Sequence, residues 1–554
     1  MSLMGKCFCM PSKMLLSLPS FTSSVGCFTK QVMNNLPPSL AAQAAGRELA
    51  FPCCVLHGDA VSLLPRSLSR NHKDIFSTQL PPLPLAFGFK QSALKLPPGP
   101  FPLPVIGNLH LLDIRRQDKS LMKISEKYGP VFTVHLGFRK VVVLTGYEAV
   151  KDALLNTANV FADRPIIPIF HHIQHGNGVF FSSQELWRKT RRFTMTAMRD
   201  LGMGKRLAEE RIIEELQFLI GLIKSFKGGP FQLRCLNTAP TNITFAILFG
   251  RRFDYEDPTF VTLLRLIDEV MFLLGSPFLH LFNFYPFLGF LLKPHKIILK
   301  KIEEVCVILK KHIKESTENI NGSNLTSYID ALVFKQEEKN KDSPFHDENV
   351  LASALDLLMA GTETTSTTLQ WAVLLMMKYP EIQKKVHAEI ERVLGPDCLP
   401  TFEDRKKMPF TTAVIHEVQR FVTLLPHIPR CTSTDTHFKG YFIPKGTTVI
   451  PLLTSVLLDK TQWETPDEFN PNHFLDSEGN FVKKKAFLPF STGRRNCIGE
   501  SLATVELFIF FTGLIQKFTF KPPSGVKESE LDTTAEAGFT MRPHPQCACA
   551  VLRS

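Results

Sequence analysis

The stretch Phe490–Gly499, FSTGRRNCIG, decides how the chain reads, together with the apolar helical run from Ser501 to Phe518 that follows it. Gly493 and Gly499 let the backbone pass close to a flat ligand. Cys497 stands where a loop feeds a helix N-terminus, and backbone N–H groups and the helix dipole there stabilise a thiolate. A lone cysteine is more often a small buried hydrophobe. A thiolate that ligates a metal is the alternative, and the spacing F-x-x-G-x-R-x-C-x-G around it bears on the choice through the resemblance given below.

Working outward, helical periodicity is longest from about Asp347 to Lys378, where apolar residues fill Val350–Met359 and resume at Leu369. Its middle, Thr362–Thr368 (TETTSTT), is polar. A helix apolar at both ends and polar at its centre is poor core design, so the centre faces something that needs it. Ala360 and Gly361 precede the polar run, and Gly361 reads as room for a planar cofactor or O₂. Glu363 and Thr364 place an acid beside an alcohol, a pair able to deliver protons to a reducible ligand. A mid-helix threonine otherwise bonds back to its own carbonyls.

Between these elements, Glu417 and Arg420 (E-V-Q-R) lie i, i+3 on a helix starting near Pro409. A surface ion pair worth ~0–1 kcal/mol is the ordinary alternative for such a spacing. Phe469–Phe474 (FNPNHF) follows, with His473 in it. Upstream, Trp187 and Arg191 (W-R-K-T-R) are one helical turn apart, an indole N–H and a guanidinium able to grip a carboxylate, and Arg495 is a second grip.

Together these motifs resemble the cytochrome P450 superfamily, and the proline-rich Leu96–Asn108 (LPPGPFPLPVIGN) with A-G-T-E-T-T and F-N-P-N-H-F is similar to its family 2, the vertebrate microsomal type. The resemblance covers Pro97 to about Pro545. It implies a mainly α fold with a small β-rich part and haem b between the long central helix and the cysteine-loop helix. Cys497 becomes the axial thiolate, which pushes electron density onto the iron and favours O–O cleavage. It further implies that Trp187, Arg191, Ala360, Gly361, Phe490, Gly493, Arg495 and Gly499 contact the cofactor, and that Glu363 and Thr364 form the oxygen-activating relay. Glu417, Arg420 and His473, in the family's basic position, would lock the loop beneath the haem. Where relatives carry a histidine that touches a propionate, this chain has Arg430, with His427 nearby, and the choice between them stays open.

The activity implied is monooxygenation of small lipophilic substrates, xenobiotics or fatty acids such as arachidonic acid. Electrons would come from NADPH through cytochrome P450 reductase, and cytochrome b5 is a second possible donor. The pocket would be lined around Ile166–Phe180, near Ala360, at Val422–Leu425 and at Ala537–Thr540. Arg188, Lys189, Arg192 and Lys483–Lys485 would meet an acidic redox partner, with a solvated face as the alternative. A haem-thiolate isomerase, which needs no acid–alcohol pair, and a non-catalytic haem carrier remain as other readings.

Length and charge set the frame. The 554 residues have 44% apolar content, enough for a large core. The net charge is +12, and residues 1–95 hold nine Lys/Arg against three Asp/Glu, half of the excess. The rest is too dilute for a nucleic-acid protein. Twelve cysteines show no disulfide framework or zinc spacing. Two units are expected: an atypical extension over 1–95, poorly ordered and without the usual membrane anchor, and a catalytic domain over 96–554. The expected location is the cytoplasmic face of the endoplasmic reticulum membrane, with mitochondria or a misassembled N-terminus as alternatives. Ser276–Leu292 (SPFLHLFNFYPFLGFLL), followed by Lys293, Lys296, Lys300 and Lys301, is the candidate membrane-surface segment, and a buried core segment is its alternative. Val131–Thr145 around Gly137 and Tyr441–Ile450 around Pro444-Lys445-Gly446 read as hairpins.

Overall fold

The computed structural model describes residues 95–203, 206–319, 325–337 and 344–553. The expectations for residues 1–94 lie outside them. The described part is mainly helical with small sheets, as the sequence implies.

The central helix runs Asp347–Lys378, where its apolar and polar pattern places it. It ends because Tyr379, preceding Pro380, leaves the helical region, and Pro380 opens the next helix. Packed on it are Thr238–Phe249 and the cysteine helix Glu500–Lys517, which is buried along nearly all of its length from Val505 to Gln516. Leu216 and Ile220 of the helix Arg206–Ser225 join Phe508, Phe511 and Leu375 in the main core. Gly513 makes this packing possible, because a Cβ there would collide with the Leu216 side chain.

Val131–Leu136 and Arg139–Leu144 pair antiparallel around Gly137, as expected. Gly137 has φ +61°, and a Cβ there would meet the Tyr285 ring. The second expected hairpin is corrected. Tyr441–Ile443 pairs instead with Thr436–Phe438, while Thr448–Pro451 runs parallel to Arg139–Leu144 and antiparallel to Arg430–Cys431. The reversal sits at Lys439-Gly440, both at positive φ, and Pro444–Gly446 sends the chain on into a different sheet. That sheet holds Arg430 in a fixed position.

Where the cysteine helix crosses the central helix, Glu506 is buried with a single partner. Its Oε2 accepts from the Thr365 hydroxyl at 3.0 Å, and its Oε1 has none. Burial pushes this carboxyl up from the ordinary 4.5 to about 8. A raised carboxyl binds its proton more tightly folded than unfolded, so folding stability falls as pH rises from about 4.5 to about 8. Glu506→Gln, which keeps the bond to Thr365, should flatten that slope and gain on the parent toward pH 8. Melting curves between pH 5 and 8 check this, and parallel curves for the two proteins would show Glu506 to be solvated.

Candidate active site

Cys497 is exposed, although the surrounding protein desolvates its sulfur. Its amide donates to the Phe490 carbonyl at 3.0 Å, which closes the loop into a tight hook. The helix start behind it does not make the free thiol acidic. Burial pushes Cys497 up to about 11, against the opposing pull of the Gly499 N–H and Arg191. That value belongs to the free thiol; a coordinated metal ion deprotonates a cysteine outright, so the thiolate is the form the ligand takes.

The loop glycines divide the work. A Cβ at Gly493 (φ +78°) would run into the Leu154 carbonyl, so this glycine lets two stretches of backbone pack together. A Cβ at Gly499 would meet nothing nearer than Cys497 Sγ at 3.9 Å, so the space beside the sulfur is open there. On the central helix, the missing side chain of Gly361 makes room for the Thr244 hydroxyl of a neighbouring helix. Ala360 is exposed in the middle of a helix whose surroundings are buried, and Thr364, one turn on, shares that open face.

The acid–alcohol pair does not stand as a side-by-side relay. Thr364 Oγ1 donates to the Ala360 carbonyl at 2.9 Å. Glu363, 2% exposed, accepts from Arg542 Nε at 2.7 Å and Nη2 at 2.5 Å, and from the Thr540 hydroxyl at 2.5 Å. Arg542 in turn reaches Asp268 at 2.9 Å. Glu363 thus ties the central helix to the strand Met541–Pro543, and its carboxylate is fully engaged.

Four guanidinium groups gather on the other side. Arg495 is buried, lies 4.0 Å over the Trp187 ring, and donates to the carbonyls of Ala162, Phe180 and Ser182. Arg191 Nη2 donates to the Asn496 carbonyl and side chain, both at 2.8 Å. Arg430, 1% exposed, has a long 3.5 Å contact to Ser491, and its Nη1 has no partner. Arg164, which the sequence reading missed, donates to Phe180 and Pro429 carbonyls. Burial first, then repulsion from the others, pulls Arg430 down to about 10 and Arg495 to about 9, and Arg164 is lowered too. Asp356 is the carboxylate that opposes this at Arg164. The Trp187 indole N–H is buried and unpartnered. Unpaired buried cations are costly, and orphaned donors aimed together call for an anion. Both features fit the two propionates of a haem. His427 is buried near Asp118 and His280 instead, so Arg430 is the one of the two that joins the cluster.

Beneath the cysteine loop, Arg420 and Glu417 are both fully buried and joined by two 2.7 Å bonds. Arg420 also donates to the Leu457, Pro466 and Glu468 carbonyls, and Glu417 accepts from the Asn470 amide at 2.8 Å. His473 Nδ1 faces Glu417 at 3.2 Å while its Nε2 accepts from the Thr465 amide. The expected surface-pair alternative is excluded.

The expected pocket segments converge. Phe539 packs against Phe170 and Phe180, with ring centres 6.2 and 6.3 Å away, and the Met541 amide bonds the Leu424 carbonyl. Phe181, stacked on Phe170 at 4.0 Å, extends this apolar wall beyond the expected residues.

Glu417→Ala should leave Arg420 buried and unpaired at a cost of ~3–5 kcal/mol. The expected outcome is protein that does not retain haem, read by the haem-to-protein absorbance ratio after purification. A stable coloured variant would contradict the buried geometry.

A profile described as Cytochrome P450 matches residues 97–550. The chain is 56% identical over 462 residues to cytochrome P450 2W1 of Homo sapiens, covering 83% of this chain and 94% of that protein. It is 46% identical over 465 residues to cytochrome P450 2K1 of Oncorhynchus mykiss (83% and 92%) and 44% identical over 460 residues to human cytochrome P450 2J2 (82% and 91%). Family, fold and donor set agree: this chain belongs to the cytochrome P450 family, in its family 2 branch, and is a monooxygenase that binds haem b through a cysteine thiolate.

Proposed function

We propose that the chain hydroxylates or epoxidises small lipophilic compounds, xenobiotics or fatty acids, by RH + O₂ + 2e⁻ + 2H⁺ → ROH + H₂O. NADPH would supply the electrons through cytochrome P450 reductase, with cytochrome b5 as a second donor. The observation that carries this reading is Cys497, exposed at a loop–helix junction beside a cluster of arginines, two of them buried. Bound haem supplies the iron at which O₂ is activated.

The chain's own residues then have distinct tasks. Cys497 holds the iron. Arg164, Arg191, Arg430, Arg495 and the Trp187 N–H hold the propionate edge, and Phe490 and Gly499 frame the sulfur. Ala360 leaves the central helix low where oxygen and substrate meet. Thr364 carries the proton, releasing its bond to the Ala360 carbonyl when a better acceptor is present. Its proton is replenished from water in the pocket, because Glu363 is committed to Arg542 and Thr540. Phe170, Phe180, Phe181 and Phe539 offer the apolar wall for the substrate.

Exposed Arg188, Lys189 and Arg192 suit an acidic redox partner. Among the described residues no helix is long and apolar enough to cross a membrane. Phe278, Phe287, Phe290 and Leu291 are nevertheless all more than half exposed, next to Lys293 and Lys296. The Tyr285 hydroxyl links this patch to the Val105 carbonyl of the proline-rich entry segment, whose Phe101 and Val105 are also exposed. Apolar surface edged by lysines fits attachment to the cytoplasmic surface of the endoplasmic reticulum.

Cys497→Ala should abolish the red-shifted Soret band of the reduced CO complex, and a variant that keeps the band would move the ligand to another thiol. Thr364→Ala should bind haem and substrate normally while diverting NADPH electrons to peroxide or water. Unchanged coupling of NADPH use to product would remove Thr364 from proton delivery. A chain begun at Leu94 should still sediment with microsomes and be released by salt; its full recovery as soluble protein at low salt would contradict the surface-patch reading.

A further inference from the structure

A second concavity lies behind the cysteine loop. It is a cleft of 440 Å³ between the start of the cysteine helix, the helix Pro409–Val422 and the segment from Lys483 to Thr492. Its floor is apolar: Ile415, Phe487 and Leu507 are each less than 10% exposed. Lys483, Lys484 and Lys485 line it, and none of them has an ion-pair partner among the described residues. Glu500 is the one acid among its lining residues. His416, also in the lining, is pushed down to about 4 by burial, and Lys483 and Arg405 lower it further, so it adds an uncharged wall.

We propose that this cleft binds a small amphiphilic anion, with the apolar body on Ile415, Phe487 and Leu507 and the carboxylate or sulfonate against the lysines. The volume is that of a small-molecule site, and its enclosed apolar floor is unlike the flat, roughly 800 Å² contact that a protein partner makes. Charge and shape agree on the class: three unpaired ammonium groups attract an anion, and the floor rewards an apolar tail.

The occupant would be felt at the metal centre. Asn496 lines the cleft and holds Arg191 through its carbonyl and its side chain. Phe490, also in the lining, accepts from the Cys497 amide. An anion seated here would also compete with an acidic redox partner for Lys483–Lys485. That last consequence rests on the proposed reductase partnership, whereas the binding itself does not.

The test uses the haem-loaded full-length protein, with 8-anilinonaphthalene-1-sulfonate as the probe and 4-phenylimidazole saturating the iron side of the haem. Probe fluorescence should rise to saturation with the azole present. Lys483→Glu/Lys485→Glu should weaken binding by roughly tenfold or more. Thr504→Phe, which fills the cleft and leaves every lysine in place, should weaken it comparably. Both variants should keep the reduced-CO band, as a control for folding. Loss of the probe signal on azole addition would place it in the substrate pocket and overturn the proposal. Equal affinity in both variants would overturn it as well, and so would weakening by the lysine changes alone, which would reduce the effect to diffuse charge attraction.

Discussion

Two buried guanidinium groups, Arg430 and Arg495, and two half-buried ones, Arg164 and Arg191, stand within reach of one another's fields, with Asp356 opposing the repulsion at Arg164 and Asp163 at Arg495. Arginine does not escape such a position by losing its proton. A dianion among them would offset this cost, and the surrounding chain holds the cluster in place. The strand Arg430–Cys431 is pinned by Thr448–Pro451. The helix Gln184–Asp200 carries Trp187 and Arg191 inward on one face, while Arg188, Lys189 and Arg192 stay outside. The loop bearing Arg495 is stitched to the Ala162, Phe180 and Ser182 carbonyls.

A second buried charge system, of opposite design, holds the platform beneath. Glu417 and Arg420 satisfy each other, and their remaining donors and acceptors are taken up by three carbonyls, an amide and His473. A pair completed in this way is rigid, because every alternative leaves a charge bare. The guanidinium cluster is left incomplete, with Arg430 Nη1 and the Trp187 N–H unpartnered. The Glu417 system is complete and locks the chain. Glu363 with Arg542 belongs to the second kind: the carboxylate beside Thr364 ties the central helix to the strand Met541–Pro543.

Legibility in the sequence followed the range of the interactions. Cys497, the central helix and the Glu417–Arg420 spacing are local patterns, and each was readable from adjacent residues. Arg542 lies 179 positions beyond Glu363, so nothing near A-G-T-E-T-T announces it. Gly361 and Gly493 were read correctly as places for close approach. The groups that approach them, Thr244 and the Leu154 carbonyl, come from distant chain and left no local signal. Arg164 sits in F-A-D-R-P without a motif around it, and only its burial beside Arg430 and Arg495 reveals it. The second hairpin failed for a related reason. Two turn signals, Lys439-Gly440 and Pro444–Gly446, lie a few residues apart, and strand pairing with distant Arg139–Leu144 chose between them.

The central claim is that haem sits with its iron on Cys497 and its propionates among the four arginines. Diffraction from crystals of the haem-loaded protein, collected at the iron absorption edge, tests this most directly. The account predicts one anomalous peak at bonding distance from Cys497 Sγ, with the porphyrin carboxylates within hydrogen-bond reach of Arg430, Arg191 and the Trp187 indole nitrogen. An iron peak ligated by any other residue, or propionates pointing away from the arginine cluster into solvent, would contradict it.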